Sequence, residues 1–530
     1  MQRNSMAKQD CRTRIYAILC QLYMSQRALI IIAWIGIFIL AFMLRHQNLE
    51  ERPLHADEAT GARILAQQIN GDTYRFNPQH FHGPLLSLST LPIAHVRGED
   101  SWAELSTTTL RYQSALAGLM LIATPLLWRR TLGNWGTLAA AVLLTTSPLL
   151  VYYNRMYIHE SLLTLFAMCA CAAVFRFSEK PTIRIGVLCG LCLGLMFATK
   201  ETFAVSVLAW LPAALSCTVL RNPGGGFKQC ILNLQPYLIP AALLTLTTAV
   251  TAAYFYSDGF RAPQGMIDAV RTYFHYETTE GHEKSANYYL QLLLWPKQQL
   301  GLWWCETSVA LLALIAVARA AVQPHQLRPI VFLTIAALGH FIIYSSIGYK
   351  TPWLMLVPWA HACLLAGYAF SRITQLRVSG RIALTLLLFC GLVYQTSQSI
   401  HASGRFSNDS RNPYAYVPTS RDVPRIGRWL QQLTTLPDAP PLIPVAVVGR
   451  GYWPLPWYLR SFETIGYWPA PTEALTDFPL IFAMPAHVRA CNELLNHTHV
   501  ALPRALRTNV SITLYVDNNI WENWLRTTEE

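Results

Sequence analysis

Charged side chains are scarce in this chain of 530 residues. They make up 13% of the sequence, and 53% of the residues are hydrophobic. A soluble globular protein carries about 25% charged residues, so the composition argues against a soluble enzyme. Low-complexity tracts are lacking too, and the aromatic content of 12% excludes a disordered chain. The composition therefore predicts one large membrane-embedded unit.

Disulfide and metal signatures are weak. The twelve cysteines are scattered along the chain, which excludes a disulfide-rich scaffold. Cys189 and Cys192 have the spacing of metal ligands, but they lie in an apolar, helix-like run. A cysteine in such a run packs as a small hydrophobic residue, and we interpret most of the others in the same way, among them Cys169, Cys171, Cys363 and Cys390.

Several common catalytic motifs are absent from the sequence. It has no Walker lysine loop, no Gly-x-Ser-x-Gly elbow and no His-Glu-x-x-His helix. The net charge of +12 would suit a nucleic-acid partner. The basic residues, however, punctuate apolar stretches, as they do in cytoplasmic loops of membrane proteins. We therefore predict membrane lipids, and no nucleic acid, among the partners.

The hydrophobic pattern predicts about eleven transmembrane helices. Residues 28–44 carry no charge and follow a long polar leader without a small-residue cleavage site, which indicates a retained anchor. A weaker apolar piece, 85–94, contains proline and is interpreted as interfacial or re-entrant. Ten further spans are predicted near 112–128, 137–153, 160–176, 185–199, 202–220, 236–256, 306–322, 329–347, 353–371 and 382–398.

The distribution of basic residues predicts the orientation. With a cytoplasmic N-terminus, the short outer loops hold only Arg155, Lys200 and Lys350. The short inner loops hold Arg129, Arg130, Arg176, Lys180, Arg184, Arg221, Lys228, Arg319, Arg328, Arg372, Arg377 and Arg381. This is the positive-inside pattern. It predicts a multi-pass protein of the inner (plasma) membrane, with everything after residue 400 on the periplasmic or extracellular side.

Three regions follow from this topology. Residues 1–27 form a cytoplasmic segment, and 28–400 form the transmembrane domain with outer loops 45–111 and 257–303. Residues 401–530 have a different composition and predict a small α/β domain. Its predicted elements are one helix, Asp422–Leu433, and strands at 442–448, 480–483 and 510–516.

Polar residues that the topology brings to the outer face form the candidate site. The Lys200-Glu201 pair weighs most, because it interrupts a nearly continuous apolar stretch. Carboxylates opposite cations suit displacement at a sugar carbon, in which a carboxylate takes the proton of the attacking hydroxyl and cations or a metal neutralise a departing phosphate. The other residues of this set are His55, Asp57, Glu58, Asn154, Arg155, His159, Glu160, His275, Glu277, Glu280, His282, Glu283, Lys284, Tyr349 and Lys350.

Simpler interpretations stay open at this point. Each loop charge alone is more often just solvated, and the 257–303 loop is more simply a polar loop with an amphipathic helix at 287–294 than a metal site. A transporter or lipid flippase is a second functional class, although transporters place their polar residues near the membrane midplane. A non-catalytic assembly partner is a third.

Five motifs carry a resemblance to a known superfamily. They are His-Ala-Asp-Glu-Ala at 55–59, Tyr-Tyr-Asn-Arg-Met-Tyr-Ile-His-Glu at 152–160, Ala-Thr-Lys-Glu at 198–201, Gly-Tyr-Lys-Thr-Pro-Trp at 348–353 and Tyr-Trp-Pro-Leu-Pro-Trp-Tyr-Leu-Arg at 452–460. With them the chain resembles the GT-C integral-membrane glycosyltransferases. Within that superfamily it is similar to dolichyl-phosphate-mannose protein mannosyltransferases, to aminoarabinose transferases of lipid A, and most to a prokaryotic group of mannosyltransferase-like membrane proteins.

The resemblance implies a function and roles for residues. The chain would move a hexose such as mannose from a polyprenyl-phosphate donor to a glycan, lipid or protein hydroxyl, with inversion. Asp57 would be the general base, Glu58 would support it, and Glu160 would help shape the site or bind a metal where one is used. A divalent cation, Mg²⁺ or Mn²⁺, stays an open alternative. Arg155, Lys200 and Lys350 would bind the donor phosphate, and the supporting residues would be His55, His159, Glu201 and Tyr349.

The aromatic motif of the tail has two interpretations. Trp453, Trp457 and Tyr458 are expected to pack the small domain or to rest on the membrane interface. A stacking surface for sugar rings is the functional alternative.

Overall fold

The structure is a computed structural model. It describes residues 26–79, 82–221, 235–275, 281–434 and 443–529. Most of the predicted cytoplasmic segment 1–27 therefore lies outside the described residues, as do Glu277, Glu280 and the side chain of His275.

Long apolar helices dominate the described part of the chain. Because a lipid bilayer offers no hydrogen bonds to the backbone, uncharged apolar runs of this length satisfy their peptide groups internally as helices. Two shorter apolar helices, Ile183–Thr199 and Thr307–Val322, join them, and each predicted span overlaps a helix. The protein is thus a helical, multi-pass membrane protein. Among the described residues, eight segments are long and apolar enough to cross a membrane: Gln26–His46, Thr107–Thr146, Glu160–Glu179, Phe203–Arg221, Gln235–Tyr256, Arg328–Ser346, Pro352–Gln375 and Val378–Ser403.

The segment Thr107–Thr146 is not one straight helix. Helix Thr107–Leu121 passes through a short 3-10 turn, Thr124–Trp128, into helix Arg129–Thr146, and Gly133 adopts a positive φ of 64° within it. Only glycine takes up that conformation without strain. Gly133 lies between the spans predicted at 112–128 and 137–153.

Shorter helices gather at one end of the bundle, which we call the site end. The predicted outer loop 45–111 contains helices Ala56–Ile69 and Leu85–Val96, and it ends where the next helix begins at Thr107. The piece at 85–94 is therefore a helix of 12 residues, too short to cross a membrane. Three further helices lie in the connections: Pro148–Asn154, Gln264–His275 and Tyr288–Leu293.

Glycines bring two of the membrane helices into close contact. Gly186, Gly190 and Gly194 share one face of helix Ile183–Thr199, which packs along helix Leu238–Tyr256. A Cβ atom on Gly190 would lie 2.4 Å from the carbonyl oxygen of Leu244. Backbones this close gain van der Waals contact that larger residues would prevent, and the pair positions the turn at Lys200.

The tail is a small domain built on a mixed sheet. Its strands are β3 Val445–Val448, β4 Ile465–Trp468, β5 Leu480–Ala483, β6 His499–Arg507 and β7 Val510–Asp517, numbered after a short hairpin of β1 Lys297–Gln299 and β2 Leu302–Trp304. The order is β4-β3-β5-β7-β6, with β3 parallel to both neighbours and β7 antiparallel to both of its own. Helices Asp422–Leu433, Leu455–Tyr458, Val488–Leu495 and Asn518–Glu529 complete it.

The predicted helix and three strands of the tail are present, whereas β4, β6 and the last two helices were not predicted. Strand β6 carries Pro503, Arg504 and Arg507 and pairs only with β7 among the described strands. An edge strand of this kind lacks the continuous apolar run that marks a buried strand.

The tail docks onto the site end through the predicted aromatic motif. Trp457 is buried in one cluster with residues of the first outer loop, and its ring meets Trp102 edge to face at a centroid distance of 5.6 Å. The hydroxyl of Tyr458 accepts a hydrogen bond from the backbone N–H of Leu54 at 2.7 Å, and Thr419 donates to the Leu54 carbonyl at 2.8 Å. The tryptophans of this motif thus pack against the first outer loop and not within the core of the small domain. The contacts of Tyr458 and Thr419 restrain the backbone directly before His55.

Candidate functional site

A cavity of about 420 Å³ opens at the site end, where the predicted outer turns meet. Apolar and aromatic side chains from several helices form much of its wall, including Ile64, Val205, Tyr344 and Trp353. Polar groups face one another across it. Six of the ten predicted site residues line this cavity: Asp57, His159, Glu160, Lys200, Glu201 and Tyr349.

Asp57 lies in the first turn of helix Ala56–Ile69. His55 caps this helix, because its Nδ1 atom accepts a hydrogen bond from the Asp57 backbone N–H at 3.2 Å. The Asp57 carboxylate is 3.7 Å from the same ring nitrogen, and its side chain is 54% exposed. The N-terminus of a helix favours a negative charge. The carboxylate is thus oriented by the helix start and open to the cavity.

Glu58, the neighbour of Asp57, is fully buried and lies outside the cavity lining. Arg111 donates to both of its carboxylate oxygens, at 2.7 and 2.8 Å. Backbone N–H groups of His55 and Tyr157 donate to it as well, each at 2.9 Å. Burial raises the pKa of Glu58, but the charge and hydrogen bonds of Arg111 outweigh burial, and the pKa falls to about 2.

Arg111 is a functional candidate that the sequence motifs did not reveal. Its guanidinium also donates to the backbone carbonyls of Leu49, Arg52 and Pro53, so it ties the first outer loop to helix Thr107–Leu121. In the sequence, Arg111 stands directly before the apolar span predicted at 112–128, where a charge is costly without a partner. That position could have indicated a buried partner for it. The pair of Glu58 and Arg111 therefore supports Asp57 by holding the start of its helix.

Lys200 and Glu160 form a buried ion pair in the cavity wall. The Nζ atom of Lys200 is 2.5 Å from a carboxylate oxygen of Glu160, and the two side chains are 7% and 5% exposed. Glu160 opens helix Glu160–Glu179, and Lys200 follows the last residue of helix Ile183–Thr199. The two ends meet because these helices pack together.

Glu201, directly after this lysine, is paired on the other side. His82 lies 3.0 Å from its carboxylate, and the Tyr273 hydroxyl donates to its backbone carbonyl at 2.9 Å. Burial raises the pKa of Glu201, but His82 outweighs burial and the pKa falls to about 2. Burial holds the pKa of His159 well below its usual value, and the nearby His82 and Lys200 lower it further. A ring nitrogen of this neutral histidine is 3.1 Å from the Gly83 carbonyl.

Two predicted phosphate-binding residues lie outside the cavity lining. Arg155 donates to the backbone carbonyls of Leu44 and Asn48, at 3.1 and 3.3 Å. Lys350 is buried and donates to the carbonyls of Lys284 at 3.1 Å and of Ile347. Both cations hold backbone turns near the cavity, and their predicted role toward a phosphate stays a prediction.

In the loop that carried the predicted histidine cluster, His282 and Glu283 lie beside Tyr349, which lines the cavity. His282 contacts the Tyr416 hydroxyl, and its ring lies 5.0 Å from that of Tyr349. Burial lowers the pKa of His282, and the charge of Asp57 opposes this. The described residues contain no group of three His, Cys, Asp or Glu side chains placed to hold a metal ion. In the described cavity wall, Glu160 is paired with Lys200, and the Glu201 carboxylate lies 3.0 Å from His82. The predicted Mg²⁺ or Mn²⁺ stays a prediction.

Comparisons with known proteins agree with this architecture. Residues 102–255 match the family described as dolichyl-phosphate-mannose-protein mannosyltransferase. A search of the curated proteins gives no match. Among solved structures, ArnT from Cupriavidus metallidurans is similar in the apo state, with a TM-score of 0.65 and 16% identity over 92% of this chain and 98% of that one.

Two further structures share the fold. The same ArnT bound to undecaprenyl phosphate has a TM-score of 0.59 at 16% identity and the same coverage, 92% and 98%. The archaeal oligosaccharyltransferase AglB from Archaeoglobus fulgidus, in complex with an inhibitory peptide and a dolichol-phosphate, has a TM-score of 0.52 at 12% identity, covering 94% of this chain and 77% of that one. The resemblance to GT-C membrane glycosyltransferases is confirmed, and the fold is ArnT-like.

Proposed function

We propose that this protein is a membrane glycosyltransferase that moves a sugar from a polyprenyl-phosphate donor to a hydroxyl group of an acceptor. The observation that carries the proposal is the cavity itself, in which Asp57 is exposed and Lys200 lies in the wall. The fold and the family match favour the same activity. We take the donor sugar to be a hexose such as mannose and the acceptor to be a glycan, lipid or protein.

Asp57 is the general base in this proposal. Three carboxylates line the described cavity wall, and two of them, Glu160 and Glu201, are held by Lys200 and His82. Asp57 keeps its oxygens accessible to an acceptor. It takes the proton of the acceptor hydroxyl, the hydroxyl oxygen bonds to the anomeric carbon, and the bond from that carbon to the phosphate oxygen breaks. Attack opposite the phosphate inverts the sugar.

Lys200 neutralises the phosphate that departs. Its ammonium is fixed by Glu160 in a largely water-free wall, where a preoriented charge acts more strongly than it does in water. The leaving group is a polyprenyl phosphate, whose charge grows as the bond breaks. We favour Lys200 over Arg155 and Lys350, because Lys200 lines the cavity together with Asp57 and the other two lie outside the lining.

The donor reaches the site from the side of the bilayer. Helix Gln264–His275 exposes Ile267, Val270 and Phe274 along one face, a pattern typical of helices that lie in the membrane interface. Its Tyr273 contacts the Glu201 turn at the cavity. A polyprenyl chain that stays in the membrane thus finds an apolar surface next to the cavity mouth.

Substitution of Asp57 tests the proposal. Membranes that contain the native chain, Asp57→Asn or the control Asp72→Asn are given labelled polyprenyl-phosphate hexoses, and transfer to acceptors is measured. Asp72 is exposed and lies outside the cavity lining. Loss of a general base costs about 10²–10⁴-fold in rate, so we expect product from the native chain and the control only. Equal transfer by all three forms at equal abundance would exclude Asp57 as the base.

The same membranes separate the enzyme from a lipid flippase. A flippase would move labelled polyprenyl-phosphate lipid across the bilayer in the Asp57→Asn form as well as in the native chain, and would release no glycosylated acceptor.

A further inference from the structure

Two cavities at the end of the bundle opposite the site end share one arginine. A cavity of about 450 Å³ lies between helix Gln26–His46 and helix Arg129–Thr146, and Arg27 and Arg129 line it. A cavity of about 630 Å³ beside it is lined by Arg129, Arg130 and Arg176. Because Arg129 belongs to both, they form one basic surface.

This basic surface is distant from the catalytic cavity. Helix Glu160–Glu179 begins at Glu160 in the catalytic cavity and carries Arg176 in its last turn. At about 1.5 Å of rise per residue, the two residues are about 24 Å apart along the helix. The arginines thus lie at the end of the bundle that the charge pattern predicts to be cytoplasmic, and a ligand there does not share the sugar-transfer site.

Two of these arginines make neutral contacts within the chain. Arg129 donates to the side-chain oxygen of Asn134 at 2.8 Å. Arg176 donates to the carbonyl of Ala172 at 3.4 Å and to that of Leu127. Among the described residues that line the two cavities, none carries a carboxylate. Clustered guanidinium groups in such a lining attract an anion, and their planar donors match phosphate oxygens.

The other walls of the surface are apolar. Ile30, Trp34 and Phe38 of helix Gln26–His46 line the first cavity. Leu126 and Leu127 lie between the arginines and are 44% and 38% exposed. A ligand that fits must combine a phosphate with hydrocarbon. A free phosphate ion would leave these apolar walls without a contact.

We propose that this basic surface binds an anionic phospholipid of the surrounding leaflet through its headgroup phosphate. Arg129, Arg130 and Arg176 surround the phosphate, and the acyl chains lie against helix Gln26–His46. Basic pockets between transmembrane helices on the cytoplasmic side suit such headgroups. We commit to a phospholipid, and not to the polyprenyl-phosphate donor, because the surface lies at the other end of the bundle from Asp57.

Lipid binding to the full chain tests this inference. The chain is purified in detergent, loaded with phosphatidylglycerol or phosphatidylcholine, and the retained lipid is counted by native mass spectrometry. We expect phosphatidylglycerol to be retained preferentially, and Arg129→Gln with Arg130→Gln to weaken retention about tenfold, the effect of about 1.4 kcal/mol. The matched control is Arg377→Gln with Arg381→Gln, two exposed arginines outside both cavities that should retain lipid like the native chain.

Several outcomes would overturn the inference. Equal retention of the two phospholipids, or an equal loss in both double variants, would mean nonspecific charge attraction. Displacement of the lipid by excess inorganic phosphate would mean a simple anion site, and preferential retention of undecaprenyl phosphate would mean a second donor site. Unchanged thermal unfolding of each variant is required for the comparison, and single Arg130→Gln serves if the double variant misfolds.

Discussion

The pairing of Glu58 with Arg111 leads to a quantitative prediction. Glu58 is fully buried, and its pKa of about 2 compares with an ordinary value of 4.5. At about 1.4 kcal/mol per pH unit, this difference stabilises the folded protein by about 3 kcal/mol at neutral pH. We expect Glu58→Gln to lose an amount of this order. Arg111→Gln also leaves a buried charge without its partner, so it should lose about 3–5 kcal/mol.

The pH dependence of this stabilisation has a defined sign. A carboxylate with a lowered pKa stabilises the fold above its unfolded value, and the stabilisation is lost as the pH falls through the folded value. For Glu58 the loss runs from pH 4.5 down to about 2. The native chain should therefore approach the stability of Glu58→Gln in this window.

Unfolding by denaturant in detergent micelles measures this prediction at pH 7 and pH 3. The control is Glu473→Gln, an exposed glutamate of the tail that should unfold like the native chain. The double variant Glu58→Gln with Arg111→Gln should lose less than the sum of the two single losses, because the two groups act as one pair. If Glu58→Gln unfolds like the control, or its deficit is the same at both pH values, the ion pair does not stabilise the fold in the way we infer.

Three further predictions concern the site and its supports. Lys200→Met should lower sugar transfer about 10²–10³-fold because the departing phosphate loses its cation, while Lys297→Met, at a half-buried hairpin position outside the cavity lining, should not. Initial rates with labelled donor show the difference, and equal rates would refute the role. Gly190→Leu should lower the free energy of unfolding by about 1–3 kcal/mol, because the new side chain meets the Leu244 carbonyl. The control is Gly36→Leu, whose side chain enters open space, and equal unfolding of the two variants would contradict the prediction. Trp457→Ala should lower the free energy of unfolding by about 3–5 kcal/mol and weaken the docking of the tail domain. A protease should then cut the tail faster than in the native chain, and an unchanged rate would contradict the docking.

Much of the architecture could be read from the sequence because it depends on local chemistry. Uncharged apolar runs of about 20 residues form membrane helices wherever they occur, and each predicted span overlaps a helix. The turn at Lys200 was found because a charged pair inside an apolar stretch is costly unless the chain turns there and gives the charges partners. In the tail, the helix-like stretch predicted over Asp422–Leu433 is a helix with those bounds.

The partners of the charged residues came from the fold alone. Glu160 and Lys200 are 40 positions apart, and Glu58 and Arg111 are 53 apart. No local pattern relates such positions, because helix packing and loop closure bring them together. Asp57 and Glu58 are neighbours in the motif, yet one faces the cavity and the other is buried, since successive helix residues point about 100° apart.

The distinction between local sequence and tertiary packing also explains why the three predicted phosphate-binding cations have different surroundings. The motifs presented Arg155, Lys200 and Lys350 as equal candidates for a phosphate. In the fold, Arg155 and Lys350 donate hydrogen bonds to backbone carbonyls, whereas Lys200 lies in the cavity wall beside Glu160. The sequence determines that a costly charge near the membrane must have a partner. Helix packing sets the distances between side chains and thereby selects the partner of each charge. The partner determines whether the charged residue supports the fold or faces the site.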